Sequence, residues 1–113
     1  MGPTPPPPDQ HPSRLQITVW PGPGLAPSRW TLTADPPGGD HPDPAAACAA
    51  LAAAPRPFAP VPPGTICAQV YGGPQTAAIE GSWAGQPVRA TYSRVDGCQT
   101  ARWNALAAVF QTG

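Results

Sequence analysis

Few side chains in this chain could carry out nucleophilic, acid–base or metal chemistry. Its 113 residues include three cysteines, two histidines and six acidic residues. A hydrolase with a covalent nucleophile needs a serine or cysteine near a histidine and near a group that orients that histidine. His11 lies in a proline-rich stretch, and His41 lies in a Pro/Gly-rich segment with no adjacent serine. The sequence therefore favours a protein that is not an enzyme.

The motifs of cofactor and metal sites are also missing from the sequence. It contains no lysine, which excludes Schiff-base catalysis by a lysine side chain, and no glycine-rich motif of the kind that binds phosphate. No two cysteines have the Cys-x-x-Cys spacing, and the two histidines are not spaced like metal ligands. We therefore expect no cofactor and no bound metal ion.

Composition and charge restrict the partners. The formal net charge is zero, whereas binding to nucleic acid or to a membrane surface uses a basic face, so we expect neither partner. No apolar run approaches the roughly 18 residues that span a bilayer. The chain holds 20 prolines and 12 glycines, a content typical of disorder, but 41% of its residues are hydrophobic and four are tryptophan. We expect these tryptophans to pack in a small core rather than to form a sugar-binding platform.

The hydrophobic pattern predicts an α+β fold. Apolar–polar alternation predicts strands near residues 15–19, 29–34, 77–83 and 88–94, the first two forming an antiparallel hairpin. Asp43-Pro44 before an alanine-rich run predicts a helix over 45–54, and residues 99–106 are compatible with a second helix. Residues 107–110 are expected to form a short final strand. The predicted architecture is an antiparallel sheet of about five strands with two short helices packed on one face, over a domain of residues 14–113 that follows a disordered proline-rich arm of residues 1–13.

Cys48, Cys67 and Cys98 are an odd number of thiols, which leaves at least one without a partner in the chain. Cys48 lies in the alanine-rich run, where a thiol packs like a small apolar side chain, whereas Cys67 and Cys98 flank loops and form the better pair. A disulfide that closes a loop of about 30 residues contributes roughly 3–4 kcal/mol of stability. It also implies an oxidising compartment, and since no signal peptide is recognisable after Met1 we expect a mature secreted form.

Several short motifs follow one another in a defined order. They are Leu32-Thr33 before a Pro/Gly/Asp turn, His41-Pro42 with Pro44 and Cys48-Ala49, Cys67-Ala68-Gln69-Val70-Tyr71, Glu80-Gly81-Ser82-Trp83-Ala84-Gly85, and Tyr92-Ser93-Arg94-Val95 with Cys98. Together they resemble the Streptomyces subtilisin inhibitor family over about residues 15–110. The resemblance implies a secreted, homodimeric α+β protein that inhibits extracellular, subtilisin-like serine proteases.

The resemblance also implies which residues contact the protease. In that family an exposed loop enters the protease active site like a substrate. Carried over to this chain, the scissile bond is Gln69–Val70, with Gln69 in the primary specificity pocket and Val70 on the leaving side. The residues implied for this reactive-site loop are Ile66, Cys67, Ala68, Gln69, Val70 and Tyr71.

Three positions depart from the family pattern. Ala34 stands where the family has a further cysteine joined to the helix cysteine, which predicts a single disulfide, Cys67–Cys98, and a buried free Cys48. Ala68 stands where the family often has a proline, which predicts a somewhat less rigid loop. Gln69 is neutral and polar, whereas subtilisin pockets favour large apolar side chains and trypsin needs a cation.

Two other functions are compatible with the same residues. The inhibitor fold could be reused as a binding or structural module without a protease target. Alternatively, exposed glutamines could serve as acyl donors for a transglutaminase; the candidates are Gln69, Gln75 and Gln99.

Overall fold

The first strand, β1 (Arg14–Trp20), has the predicted alternation of apolar residues and lies at the centre of an antiparallel sheet. The computed structural model, which describes residues 13–111, contains four further strands, namely β2 (Ser28–Thr33), β3 (Gly38–Gly39), β4 (Thr76–Trp83) and β5 (Gln86–Tyr92). Their order across the sheet is β3-β2-β1-β4-β5. Ile17 of β1 pairs with Trp30 on one side and with Ile79 on the other. The predicted α+β architecture is confirmed.

Two of the three described helices begin at an aspartate cap. In α1 (Pro44–Ala53) the Asp43 side chain accepts a hydrogen bond from the Ala46 N–H at 3.2 Å, and a proline occupies the first position, where no N–H is needed. In α2 (Gly97–Ala105) the Asp96 side chain accepts from the Gln99 N–H at 2.8 Å. Both helices are confirmed, and Asp96 fixes the start of α2 at Gly97.

Residues 107–110 were expected as a strand, and this expectation is wrong. They form a short helix, α3 (Ala107–Phe110), in which the Leu106 carbonyl accepts hydrogen bonds from the Val109 and Phe110 N–H groups at 2.9 and 3.1 Å. One helical turn brings Leu106, Val109 and Phe110 to the same side, and all three are buried. An apolar run of four residues does not distinguish this arrangement from a strand.

The core lies between one face of the sheet and the helices. Ala47 and Leu51 of α1 are buried because α1, which consists largely of alanine, lies close to the neighbouring elements. Trp103 of α2 is 1% exposed and lies 4.6 Å from Phe110 between ring centroids. Trp30 and Trp83 are partly buried against this core, whereas Trp20 is half-exposed beside a cleft. Core packing is thus confirmed most fully for Trp103.

His41 has a structural role. It is only 4% exposed, and its Nδ1 accepts a hydrogen bond from the Asp43 N–H at 3.0 Å. The ring proton is therefore on Nε2, which donates to the Val109 carbonyl at 2.7 Å. The ring also packs edge-on against Trp30 at 5.2 Å. His41 links the turn before α1 to α3.

Cys48 is a free thiol, as predicted, but it is partly exposed rather than buried. It lies on the short alanine helix at the rim of the core, and its Sγ donates to the Thr33 carbonyl at 3.4 Å. Burial, with a smaller effect of the Asp35 carboxylate, raises the pKa of the Cys48 thiol. The thiol therefore lies beside the end of β2, next to Ala34.

The predicted N-terminal arm is described only at its last residue. The arm predicted for residues 1–13 lies outside the described residues except for Ser13, which is buried and whose hydroxyl accepts a hydrogen bond from the Ala84 N–H at 2.8 Å.

In the part of the chain that is described, no helix is both long and apolar enough to cross a membrane.

Candidate functional site

The segment of residues 65–74, here called the exposed loop, joins a proline-rich connection to β4 without helix or strand structure. Ile66 is 97% exposed, and Val70 and Tyr71 are 64% and 65% exposed. Gln69 is exposed as well, while Cys67 is partly buried. Large apolar side chains that are adjacent and exposed mark a contact surface for another protein. All six residues predicted for the reactive site therefore lie together on one exposed segment.

A disulfide attaches the exposed loop to α2. Cys67 and Cys98 are bonded at 2.05 Å between sulfurs, with a Cα–Cα distance of 5.3 Å. The predicted pairing is confirmed. Because Cys98 is the second residue of α2, the disulfide fixes the loop directly beside the capped start of that helix.

Two main-chain hydrogen bonds hold the loop on either side of Gln69–Val70. The Gly97 N–H donates to the Ala68 carbonyl at 2.8 Å, and the Gly72 N–H donates to the Arg94 carbonyl at 2.6 Å. Residues 69–71 lie between these two points. Over residues 13–111, no backbone–backbone hydrogen bond involves Gln69, Val70 or Tyr71. Their backbone groups are therefore free to pair with the edge of another protein.

The Gln69 side chain folds back onto its own loop. Its Nε2 donates to the Cys67 carbonyl at 3.2 Å. That bond must break if the side chain is to enter a pocket on a partner. Of the other two candidate glutamines, Gln75 has a buried Oε1 without a hydrogen-bond partner within residues 13–111, and the Gln99 Oε1 accepts from Arg102 at 2.9 Å.

The start of the loop is held by the proline-rich connection. The Thr65 N–H and hydroxyl both donate to the Pro62 carbonyl, at 3.2 and 2.6 Å. Further back, the Tyr92 hydroxyl donates to the Pro57 carbonyl at 2.6 Å. This connection is therefore bound to the sheet before the loop begins.

Arg102 attaches α2 to the edge of the sheet. Its guanidinium lies 4.4 Å from the centre of the Tyr92 ring and donates to the Thr91 carbonyl at 3.1 Å. Burial raises the pKa of Tyr92 to about 12, although the Arg102 charge acts in the opposite direction. Arg102 thus packs α2 against β5, and the Tyr92 hydroxyl, on the same strand, holds Pro57.

One group of potential metal-binding atoms lies at this site. Within residues 13–111 the ligand atoms of Cys67, Asp96 and Cys98 fall within 4.8 Å of one another. The two sulfurs are bonded to each other and so cannot act as thiolates, and the Asp96 carboxylate caps α2. The arrangement fits a structural anchor better than a metal centre.

Comparison with known proteins identifies the family. The sequence profile described as "Subtilisin inhibitor-like" matches residues 11–95. The chain belongs to the subtilisin inhibitor-like family. Among solved structures, it is similar to Streptomyces caespitosus sermetstatin in complex with Bacillus licheniformis subtilisin, with 28% sequence identity and a TM-score of 0.55. That match covers 86% of this chain and 96% of the other. No curated protein matches the sequence significantly.

Two features of this subtilisin inhibitor-like domain were not predicted from sequence. The Asp96-Gly97 pair signals a turn, but its hydrogen bond to Ala68 depends on the tertiary arrangement that the disulfide enforces. Likewise, Gly72-Gly73 signals an irregular segment without showing that Gly72 binds Arg94, which follows β5. In both cases the glycine was the available signal, and its partner was not visible in the sequence.

Proposed function

We propose that the protein inhibits subtilisin-like serine proteases by presenting the exposed loop as a substrate, with Gln69–Val70 as the scissile bond. One observation carries the proposal: this bond lies in an exposed stretch whose backbone is unpaired, between two points where the chain is fixed. Ile66, Cys67 and Ala68 would follow the non-primed subsites, and Tyr71 would occupy the second position on the leaving side. Family membership supports the same assignment.

Rigidity explains how such a loop inhibits instead of being consumed. A loop already held in its bound shape loses little conformational entropy on association, so that its contacts appear as affinity. The disulfide and the two flanking hydrogen bonds supply this restriction. Prolines on both sides, Pro60, Pro62, Pro63 and Pro74, reduce the freedom of the chain further.

The disulfide has a second consequence for inhibition. A cut between Gln69 and Val70 would place Cys67 in one fragment and Cys98 in the other. The two fragments would remain one covalent molecule, so cleavage alone would not separate the two parts of the inhibitor that contact the protease.

Titration of subtilisin with the purified protein tests this proposal. Stoichiometric loss of activity is expected, whereas unimpeded turnover with rapid cleavage at Gln69–Val70 would contradict it. Gln69→Lys should shift the preference towards trypsin-like enzymes, because lysine places a cation in the primary pocket. Gln86→Lys adds the same charge at the exposed first residue of β5 and should leave the preference unchanged.

We also propose that the protein acts outside the cell as a homodimer. The disulfide favours an oxidising compartment, and the dimer rests on the resemblance to the Streptomyces inhibitors. Sedimentation equilibrium should give a mass twice that of the 11.6 kDa chain. A monomeric mass at micromolar concentration would contradict the dimer.

The structure favours Gln69 if the protein is instead a transglutaminase substrate. Of the three candidate glutamines, Gln69 is the exposed one on the loop, while Gln75 and Gln99 have side-chain oxygens that are buried or hydrogen-bonded. Labelling with an amine probe should then modify Gln69 and be lost in Gln69→Asn. A chain that neither inhibits nor becomes labelled would fit a binding module.

A further inference from the structure

The two hydrogen bonds beside Gln69–Val70 are both donated by glycines in close contact with their neighbours. A Cβ on Gly97 would lie 3.2 Å from the Ala68 Cβ and 3.4 Å from the Ala68 carbonyl oxygen. A Cβ on Gly72 would lie 2.7 Å from the Thr100 Oγ1 and 3.1 Å from the Arg94 carbonyl oxygen. Three of these four contacts are tighter than ordinary van der Waals packing, and one of the three, to the Arg94 carbonyl oxygen, involves a main-chain atom that cannot rotate away.

We propose that Gly97 and Gly72 are positioning residues that hold the two ends of a cleaved inhibitor for resynthesis, an inference that rests on the proposed function. Hydrolysis of Gln69–Val70 by the protease adds one water and leaves a carboxylate on Gln69 and an ammonium group on Val70. The reverse reaction joins these groups and releases one water. It requires that both ends stay where they were in the intact loop.

The free ends created by such a cut are very short. Only Gln69 extends beyond Ala68, which Gly97 holds, and only Val70 and Tyr71 precede Gly72. An extended chain spans about 3.3–3.6 Å per residue, so neither new end can move far from its position in the intact loop. The Cys67–Cys98 disulfide limits the same end a second time.

A side chain at Gly97 would act on the intact loop more than on the cleaved one. It would press on Ala68 while the chain is continuous, and the strain would be released once the Gln69 end is free. Gly97 is also the first residue of α2, where alanine is compatible with the helix, so the loss of stability in Gly97→Ala should come from the strain against Ala68 in the intact loop. The equilibrium between intact and cleaved forms is therefore the sensitive quantity.

The test measures that equilibrium with catalytic subtilisin, starting from intact and from cleaved protein. We expect Gly97→Ala and Gly72→Ala each to shift the ratio about tenfold towards the cleaved form, as for other overpacked contacts. Gly22→Ala is the matched control, because its Cβ would meet Pro74 at an ordinary 3.6 Å, and it should keep the wild-type ratio.

A double-mutant cycle separates positioning from a general loss of structure. Ala68→Gly removes the Cβ that Gly97→Ala would meet, so in that background Gly97→Ala should shift the ratio by less than about threefold. This cycle decides the question even if Gly72→Ala does not fold. A Gly97→Ala ratio equal to wild type, or the same shift in both backgrounds, would overturn the inference. A wild-type chain that fails to inhibit subtilisin would overturn the proposed function together with it.

Discussion

His41 and Val109 lie 68 positions apart in the chain, and their hydrogen bond of 2.7 Å, from the imidazole Nε2 to the main-chain oxygen, joins the turn before α1 to the last helix. Both residues are buried. The bond therefore fixes the position of α3 relative to α1 at one end of the core.

Replacing His41 by alanine should lower the free energy of unfolding by about 2–4 kcal/mol. The change leaves the buried Val109 carbonyl and the Asp43 N–H without their partners and removes the contact with Trp30. Urea denaturation followed by tryptophan fluorescence measures it. Gln16→Ala, at an exposed position of β1, is the control, and a loss as small as that of the control would contradict a structural role for His41.

Tyr92 should make the fold sensitive to alkaline pH. Its folded pKa is raised to about 12, above the unfolded value of 10.0, so the folded state holds the phenolic proton more tightly. Stability from this group is complete below about pH 10 and is lost as the pH rises through about 12, by up to roughly 2–3 kcal/mol. Unfolding measured between pH 9 and about 12 should show this decline, and Tyr92→Phe should weaken its slope. A decline equally steep in Tyr92→Phe and in the wild type would contradict this assignment.

Ala34→Cys should form a second disulfide with Cys48. The Cys48 Sγ lies 3.4 Å from the carbonyl of Thr33, the residue before Ala34. This disulfide would close a loop of about 15 residues, which should add about 3 kcal/mol of stability. Thiol titration of the denatured protein should fall from one free thiol to none. The variant kept under reducing conditions is the control, and free thiols that persist after oxidation would show that the two side chains do not meet.

Gln69→Met should inhibit subtilisin more tightly than the wild type, by about tenfold. Burial of an amide without partners costs roughly 1–3 kcal/mol, and methionine avoids that cost. Methionine also has no hydrogen bond to the Cys67 carbonyl to break before binding. Inhibition constants for the two proteins measure the effect. Gln86→Met controls for added hydrophobicity, and equal constants for Gln69→Met and wild type would place Gln69 outside the primary pocket.

Local patterns predicted most of the elements, because strand alternation and the Asp43 cap act over a few residues. The pattern around Leu15 to Val19, and Asp43 before Pro44, each identified the right element. The short helix at residues 107–110 was missed, since its conformation is decided by packing of Val109 and Phe110 in the core.

The residues of the candidate site were predicted from the sequence, but the contacts that hold them were not. The cysteine pair and the exposed loop came from spacing and from the family resemblance, and the disulfide is confirmed. The contacts that hold the loop, from Gly97 to Ala68 and from Gly72 to Arg94, join residues far apart in sequence. Both depend on how α2 sits against the end of β5, which no local pattern encodes.

The two edges of the sheet bear on aggregation. At one edge, β3 is two residues long. At the other, β5 carries Pro87, which lacks an N–H, and Arg89, which is exposed and charged, and the Thr91 carbonyl is already bound by Arg102. Such edges are poor templates for pairing between copies of the chain. In the described part of the protein, residues 69–71 can therefore offer unpaired backbone to a protease, while the two edge strands of the sheet do not favour pairing between copies of the chain.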